Sequence, residues 1–301
     1  MGITKSSSAL GYLAGIVTGV TYGLNPLFAV PLMNNGVSVD TILFFRYFLA
    51  VLVLGGWLAL KREFFRISVK QGARLLLLGF LYSMSSLTLF EAYKYIPSGI
   101  ATTIIFLYPV LVAIIMVFMK VYPTWQVWLS IVLTFAGVLF LGKGDGAQAL
   151  QWKGLILSFA SALSYSMFIV IINRSTVVRP LSNSILTFYS LLTGAVIFFG
   201  HSLLSGNSDF MAGIHGVSPW FNLLGLALLP TIVSTATLAM ATRMIGATKA
   251  SVLGVFEPVT AILVGAIAFG ENITINVIIG ISITIAAVTL MIVSSSKEKL
   301  K

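Results

Sequence analysis

The sequence contains no cysteine and very little charge. Its 301 residues include two histidines, and only 9% are charged. Without thiols there are no disulfides, no thiolate metal sites and no cysteine nucleophile. His201 and His215 fall in or near a predicted loop and make no ligand cluster, so no metal is expected. No stretch reads Gly-x-x-x-x-Gly-Lys-[Ser/Thr], which excludes a phosphate-cradling loop and an ATP motor in this chain. No cofactor is expected, and no polar stretch is long enough to fold as a soluble domain. A soluble domain carries about 25% charged residues. With 58% hydrophobic residues and a mean hydropathy of +1.04, the chain reads as an all-α, polytopic membrane protein.

Ten apolar segments approach the length of about 20 residues that a bilayer crossing needs. They fall near 9–31, 40–60, 74–95, 98–119, 124–142, 153–173, 182–204, 219–242, 248–269 and 273–294. The N-terminus carries Lys5 and then an apolar run without a small-residue cleavage site, so an uncleaved first helix is expected. With that end inside, the cytoplasmic basic residues are Lys5, Lys61, Arg62, Arg66, Lys70, Arg74, Lys120, Arg174, Arg179, Arg243, Lys249, Lys297, Lys299 and Lys301. Only Lys94, Lys143 and Lys153 lie outside. This bias puts both termini in the cytoplasm of a bacterial-type cytoplasmic (inner) membrane. It also accounts for the net charge of +10, which marks a lipid-headgroup-facing surface and topology, not nucleic-acid binding.

One acid stands inside a span. Glu257 lies past Lys249 by eight residues, about 12 Å at helical rise and so close to the middle of a hydrocarbon core about 30 Å thick. Pro258 follows it and has no N–H to give the Gly254 carbonyl, which weakens the helix beside the acid. Asn25-Pro26 interrupts the first segment in the same manner, and Tyr108-Pro109 the fourth. An acid and a freed carbonyl at that depth must face protein or water. Gly254, Pro109 and Pro258 are therefore candidate hinge residues.

The chain also resembles itself. Ile96, Ala101, Thr102, Pro109 and Val110 align in one register with Ile245, Ala250, Ser251, Pro258 and Val259. The same register pairs Tyr82 with Thr231, Ser85 with Ser234 and Ser86 with Thr235. Two halves are expected, 1–145 and 146–301, each with five spans. Five is odd, so the second half enters the membrane from the other side. Inverted repeats of this kind suit alternating access around a midplane site at the repeat interface.

The stretch Glu91-Ala92-Tyr93-Lys94-Tyr95-Ile96-Pro97-Ser98-Gly99-Ile100-Ala101 with Tyr108-Pro109, and Ala250 with Glu257-Pro258 and Gly270-Glu271, resembles the drug/metabolite transporter superfamily in its ten-helix EamA-type branch. The likeness spans both halves. In the first half Val121-Tyr122 stands where a Gly-Glu pair often ends the fourth helix, and Tyr108 stands opposite Glu257. The resemblance implies a basket of ten helices around a central cavity, with the third, fourth, eighth and ninth at the centre. It further implies export of amino acids, related metabolites or toxic cations.

Candidate substrate-binding residues follow from helical spacing. Tyr82, Ser86 and Phe90 share one face of the third span, and Thr231 and Thr235 one face of the eighth, with Ser234 adjacent. Ser158, Ser161 and Tyr165 are offered by the sixth span, and Thr18, Tyr22 and Asn25 by the first. With Tyr108 and Glu257 they would give hydroxyl and amide partners, aromatic faces and one charge. That mix suits a zwitterion with an apolar side chain, or a cation. Ser and Thr also serve helix–helix packing alone, as does the small-residue face Ala250, Gly254, Ala261 and Gly265. Arg46 is expected to snorkel outward or to form an ion pair, with substrate-carboxylate binding as the alternative. Glu91 and Lys94 are expected to pair, and Glu271 to be solvated.

The function expected is secondary transport of a small molecule by a protein for which a monomer suffices, with membrane lipids and substrate as its partners. A membrane-embedded enzyme would need a nucleophile with a base, or a metal cluster, within the bilayer, and the chain has one deep carboxylate and no cysteine. A passive channel or a lipid-handling protein is the remaining alternative.

Overall fold

Apolar runs leave the backbone no hydrogen-bond partner in hydrocarbon except itself, so the chain folds into helices. The computed structural model describes residues 5–62, 67–120, 125–141, 151–204, 210–245, 250 and 253–298. Arg66, Val121-Tyr122, Lys143, the junction at 145/146, Lys249, Ser251, Val252, Lys299 and Lys301, on which expectations above rest, lie outside the described residues. In order the helices are α1 (Lys5–Gly23), α2 (Asn25–Asn34), α3 (Val39–Leu60), α4 (Val69–Ala92), α5 (Ser98–Ile105), α6 (Tyr108–Phe118) and α7 (Trp125–Leu141). Then come α8 (Trp152–Arg174), α9 (Asn183–Leu204), α10 (Val217–Leu226), a π-helical turn (Ala227–Val233), α11 (Ser234–Ile245), α12 (Phe256–Phe269) and α13 (Ile275–Glu298). Among the described residues there is no strand.

Seven helical segments are long and apolar enough to cross a membrane, and three shorter apolar helices cover 125–137, 256–269 and 275–290. One boundary is corrected. The third span begins at Val69 rather than near 74, because Ser68 and Gln71 form a capping box: the Ser68 Oγ accepts from the Gln71 N–H, and the Gln71 side chain accepts from the Ser68 N–H.

Three Xaa-Pro pairs break helices at their first turn. The chain turns at Leu24 before Asn25-Pro26, at Phe106-Leu107 before Tyr108-Pro109, and at Gly254-Val255 before Glu257-Pro258. Pro26 and Pro109 stand at N2 and Pro258 at N3, where a proline loses nothing, since the first N–H groups of a helix have no intrahelical partner. In the ninth segment Ala250 and Leu253 are helical, the chain turns at Gly254-Val255 and helix resumes at Phe256, so the helix is interrupted beside the acid.

Packing joins elements far apart in sequence. α7 lies on α13, α4 on α8 and α9, α3 on α9, α5 on α12, and α1 on both α11 and α12. Gly11, Gly15, Gly19 and Gly23 recur every fourth residue and give α1 a bare face. A Cβ at Gly19 would stand 2.8 Å from the Phe256 Cβ and 2.9 Å from the Leu253 carbonyl oxygen. The first helix is thus pressed against the break that carries Glu257.

Candidate functional site

A cavity of about 550 Å³ lies among α1, α4, α6, α8, α9, α11 and the start of α12. Glu257, Tyr22, Tyr82, Tyr108 and Tyr165 line it, with Thr18, Thr235 and Gly254. Its lining runs to Ile172 and Asn183, on either side of the 175–182 connection. A second chamber of about 520 Å³ adjoins it between α3, α9 and α11 and includes Thr231; the two share Asn183, Thr187, Leu191, Thr235 and Ala239.

The helix break sets Glu257 in the first turn of α12. Unpaired N–H groups and the helix dipole favour negative charge there. The Gly254 carbonyl is not free, as the sequence suggested: the Glu257 N–H donates to it at 3.0 Å, in a tight turn in place of the lost helical bond. In the first half the Leu107 N–H likewise donates to the Ile104 carbonyl at 3.0 Å, just before Tyr108. Among the described residues Glu257 has no ion-pair partner.

The tyrosines form an aromatic wall. Tyr108 meets Tyr165 edge-on at 5.0 Å between ring centroids, Tyr165 stacks on Phe168 at 5.9 Å, and Tyr82 stacks on Tyr47 at 5.7 Å. A cation among such ring faces gains quadrupole attraction in place of lost water.

Other expected residues lie elsewhere. Ser86 does not line the cavity; its hydroxyl pairs with the Tyr47 hydroxyl in the buried interface of α3 and α4. Asn25 is buried, and its Nδ2–H donates to the Tyr22 carbonyl at 2.8 Å, which steadies the break between α1 and α2. Ser158 donates to its own helix at Gly154, and Ser161 holds α8 to α4 through the Ser85 carbonyl at 2.7 Å. Thr18 reaches the cavity while bonded to Thr237 at 2.8 Å. Asn183, Thr187 and Ser190 on α9 also line the cavity; their spacing on one helical face was the signal for them.

Glu271 is half-buried and held by protein donors, not left to water alone. Its Oε1 accepts from the Ser98 N–H and the Ser98 Oγ–H, each at 2.8 Å. It therefore caps α5 from the loop after α12, and clamps the two together at the end of the molecule opposite the 175–182 connection. Glu91 and Lys94 do pair, at 2.7 Å.

Arg46 does not snorkel. It is 2% exposed, with its guanidinium carbon 5.5 Å from the centre of the Phe90 ring. Pro230 explains its other contact. Proline cannot donate to the Leu226 carbonyl, the chain relaxes into a π turn, and the Thr231 hydroxyl donates to that carbonyl instead, at 3.0 Å. The same oxygen accepts the Arg46 Nε–H at 2.9 Å.

A bundle of apolar helices around a tyrosine-lined chamber with one acid is the build of a membrane transporter. The family model described as the EamA-like transporter family matches residues 9–143 and again 152–293, and the chain belongs to that family. It is 28% identical over 135 residues to an uncharacterized transporter of Archaeoglobus fulgidus, covering 45% of this chain and about half, 46%, of that protein. It is 23% identical over 223 residues to the uncharacterized transporter YdfC of Bacillus subtilis, covering 70% of this chain and 68% of that one. A solved crystal structure, 17% identical, superposes with a TM-score of 0.64 over 98% of this chain and 100% of the other, which shows a shared fold.

Proposed function

We propose that this protein is a secondary transporter that exports small metabolites, amino acids or related amphiphilic or cationic compounds, by alternating access around the Glu257 cavity. The observation that carries the proposal is the placement of the one deep carboxylate: Glu257 sits at a helix break, inside a tyrosine-lined cavity, without an ion-pair partner among the described residues. A substrate ammonium would supply that partner. Tyr22, Tyr82, Tyr108, Tyr165 and Thr235 would surround the rest of the molecule.

In this reading ten spans form two inverted repeats, 1–145 and 146–301. The helix contacts support it. α7 lies on α13, α5 on α12 and α3 on α9, each a pair of equivalent spans, while α1 on α11 mirrors α4 on α8. A pseudo-two-fold axis in the membrane plane produces that exchange. Both termini would lie in the cytoplasm of a bacterial-type inner membrane, and a monomer would suffice. The cavity reaches toward Arg174 and Arg179, which the basic-residue bias places inside, so the conformation would be inward-facing.

Counterflow of labelled amino acids in proteoliposomes tests the proposal. Saturable exchange is expected, and a channel would not give it. Glu257→Gln keeps size and hydrogen bonding; it is expected to fold, to lose most transport, and to leave a residual rate less sensitive to pH. Wild-type rates and pH profile in Glu257→Gln would show the carboxylate to be structural only.

A further inference from the structure

The chamber beside the Glu257 cavity, about 520 Å³ in volume, is built of different material. Val53, Leu54 and Trp57 of α3 line it, with Ile232 of the π turn and Met240 and Met244 of α11. Thr231 and Thr235 are in its wall but need no ligand. The Thr231 hydroxyl donates to the Leu226 carbonyl at 3.0 Å, and the Thr235 hydroxyl to the Thr231 carbonyl at 2.7 Å. Among the described residues no charged side chain lines the chamber. Water finds few partners against such walls, whereas an apolar occupant finds many.

The chamber exists because α11 parts from its neighbours. α3 packs on α9 and on the π turn, while α11 packs on α1 and on the same turn. Among the described residues neither α3 nor α9 packs along α11. The Arg46–Thr231 hydrogen bond, 2.9 Å, ties α3 to the π turn, and beyond that tie a groove opens. Its wall runs from Thr231 to Met244, about 20 Å at helical rise, and on α9 from Asn183 to Leu191, about 12 Å. One leaflet of hydrocarbon is about 15 Å thick. The deep end is closed, since Thr231 and Leu191 are each 1% exposed. The side is open, since Val53 is 48% and Trp57 44% exposed, and at this depth such a side meets lipid.

Positive charge marks the mouth of the groove. Lys61 stands one turn past Trp57, its N–H donating to the Trp57 carbonyl at 3.0 Å, and Arg62 follows. Both are exposed, and among the described residues neither pairs with a carboxylate. Trp57 below them holds the place of an interfacial tryptophan. We propose that the groove binds one acyl chain of an anionic phospholipid of the cytoplasmic leaflet, with the phosphate at Lys61 and Arg62. The choice of leaflet rests on the inside placement of these two residues given above. Lipid tails are as apolar as leucine, so the chain is held by packing and the headgroup supplies the selectivity. The two chambers share Leu191, Thr235 and Ala239, so the bound chain forms a side wall of the Glu257 cavity and seals it from the bilayer. Approach of α11 to α3 would expel the chain, which makes the lipid a ligand of the conformation described here.

The test uses the full chain in phosphatidylcholine vesicles that hold a trace of phosphatidylglycerol with a diazirine in one tail. After illumination, peptide mass spectrometry locates the label. Label is expected at the deep residues Leu191 and Ile232, in excess over the outward-facing Trp128 and Ile267, and unlabelled phosphatidylglycerol should displace that excess. Ala236→Phe, which narrows the chamber without touching the Glu257 cavity, should remove it and leave Trp128 and Ile267 labelled as before. Lys61→Gln with Arg62→Gln changes only exposed residues, so its folding is not at risk, and it should weaken the deep labelling about thirtyfold. Label spread evenly over exposed apolar residues, with no excess at Leu191 and Ile232, would show surrounding lipid only and overturn the proposal. So would deep labelling unchanged in the double glutamine variant, or displaced by L-phenylalanine and not by phosphatidylglycerol, which would give the chamber to a transported molecule. Labelling requires no transport, so its failure leaves the carrier reading standing, and absence of transport leaves the lipid groove standing.

Discussion

Glu271→Ala removes the clamp between α5 and α12, and the size of the effect follows from its geometry. Two hydrogen bonds to a carboxylate, each 2.8 Å, and a long third from the Gly99 N–H at 3.5 Å are lost, and with them a negative charge at the N-terminus of α5. Hydrogen bonds to charged groups contribute about 1.5–3 kcal/mol each when buried. Glu271 is only half-buried and water can replace part of the loss, so the sum is nearer an N-cap with its dipole term, about 2–3 kcal/mol. If the clamp closes the outer side, that energy biases the closed state, and losing it raises the open population roughly 30- to 150-fold. Thr102, one helical turn inside Ser98 and 3% exposed, reports on it. In the cysteine-free chain, Thr102→Cys should react slowly with an impermeant thiol reagent added to whole cells. Adding Glu271→Ala should raise that rate by about the same factor as the population. Glu271→Gln keeps an acceptor without the charge and should fall between. Equal rates with and without the carboxylate would refute the argument.

Thr235→Phe should fill the cavity that Thr235 lines and abolish transport while abundance and melting temperature stay near wild type, as checked by counterflow and thermal unfolding. Gly19→Ala should destabilise by about 1–3 kcal/mol, since its Cβ meets backbone and Cβ atoms at 2.8–2.9 Å. Gly200→Ala, which meets nothing within 4 Å, should stabilise by up to about 1 kcal/mol in the same melting assay. For topology, His215→Cys should label from outside the cell and Lys70→Cys should not; the reverse pattern would invert the molecule.

Residues whose role depends on local chemistry were legible in the sequence, and those whose role depends on a distant partner were not. The breaks at Asn25-Pro26, Tyr108-Pro109 and Glu257-Pro258 follow from proline's missing N–H, and each appears within two residues of its place. Ser86 and Ser161 misled because a hydroxyl facing inward finds a helix neighbour as readily as a cavity, and both bond across α4 contacts. Glu271 looked solvated because Ser98, its partner, lies 173 residues away. The glycine ladder on α1 was readable all along as a four-residue period. Pro230 was readable too, but only the fold shows that its π turn delivers Thr231 to Arg46.

That last contact has a consequence for biosynthesis. Arg46 and Thr231 are 185 residues apart, so at about 5–20 residues per second the ribosome needs on the order of 10–40 s to make the second after the first. During that interval α3 must already reside in lipid with its arginine unanswered. Arginine opposes insertion by about 2.5–3.5 kcal/mol at a helix centre, while each Leu, Ile, Phe or Val favours it by about 0.3–0.6 kcal/mol. The many such residues of Val39–Leu60 outweigh the arginine. The nascent helix can lift its guanidinium toward the headgroups, the posture expected of an isolated span. Docking of the second half then draws the charge inward, which makes the burial of Arg46 a late step in assembly and a marker of its completion.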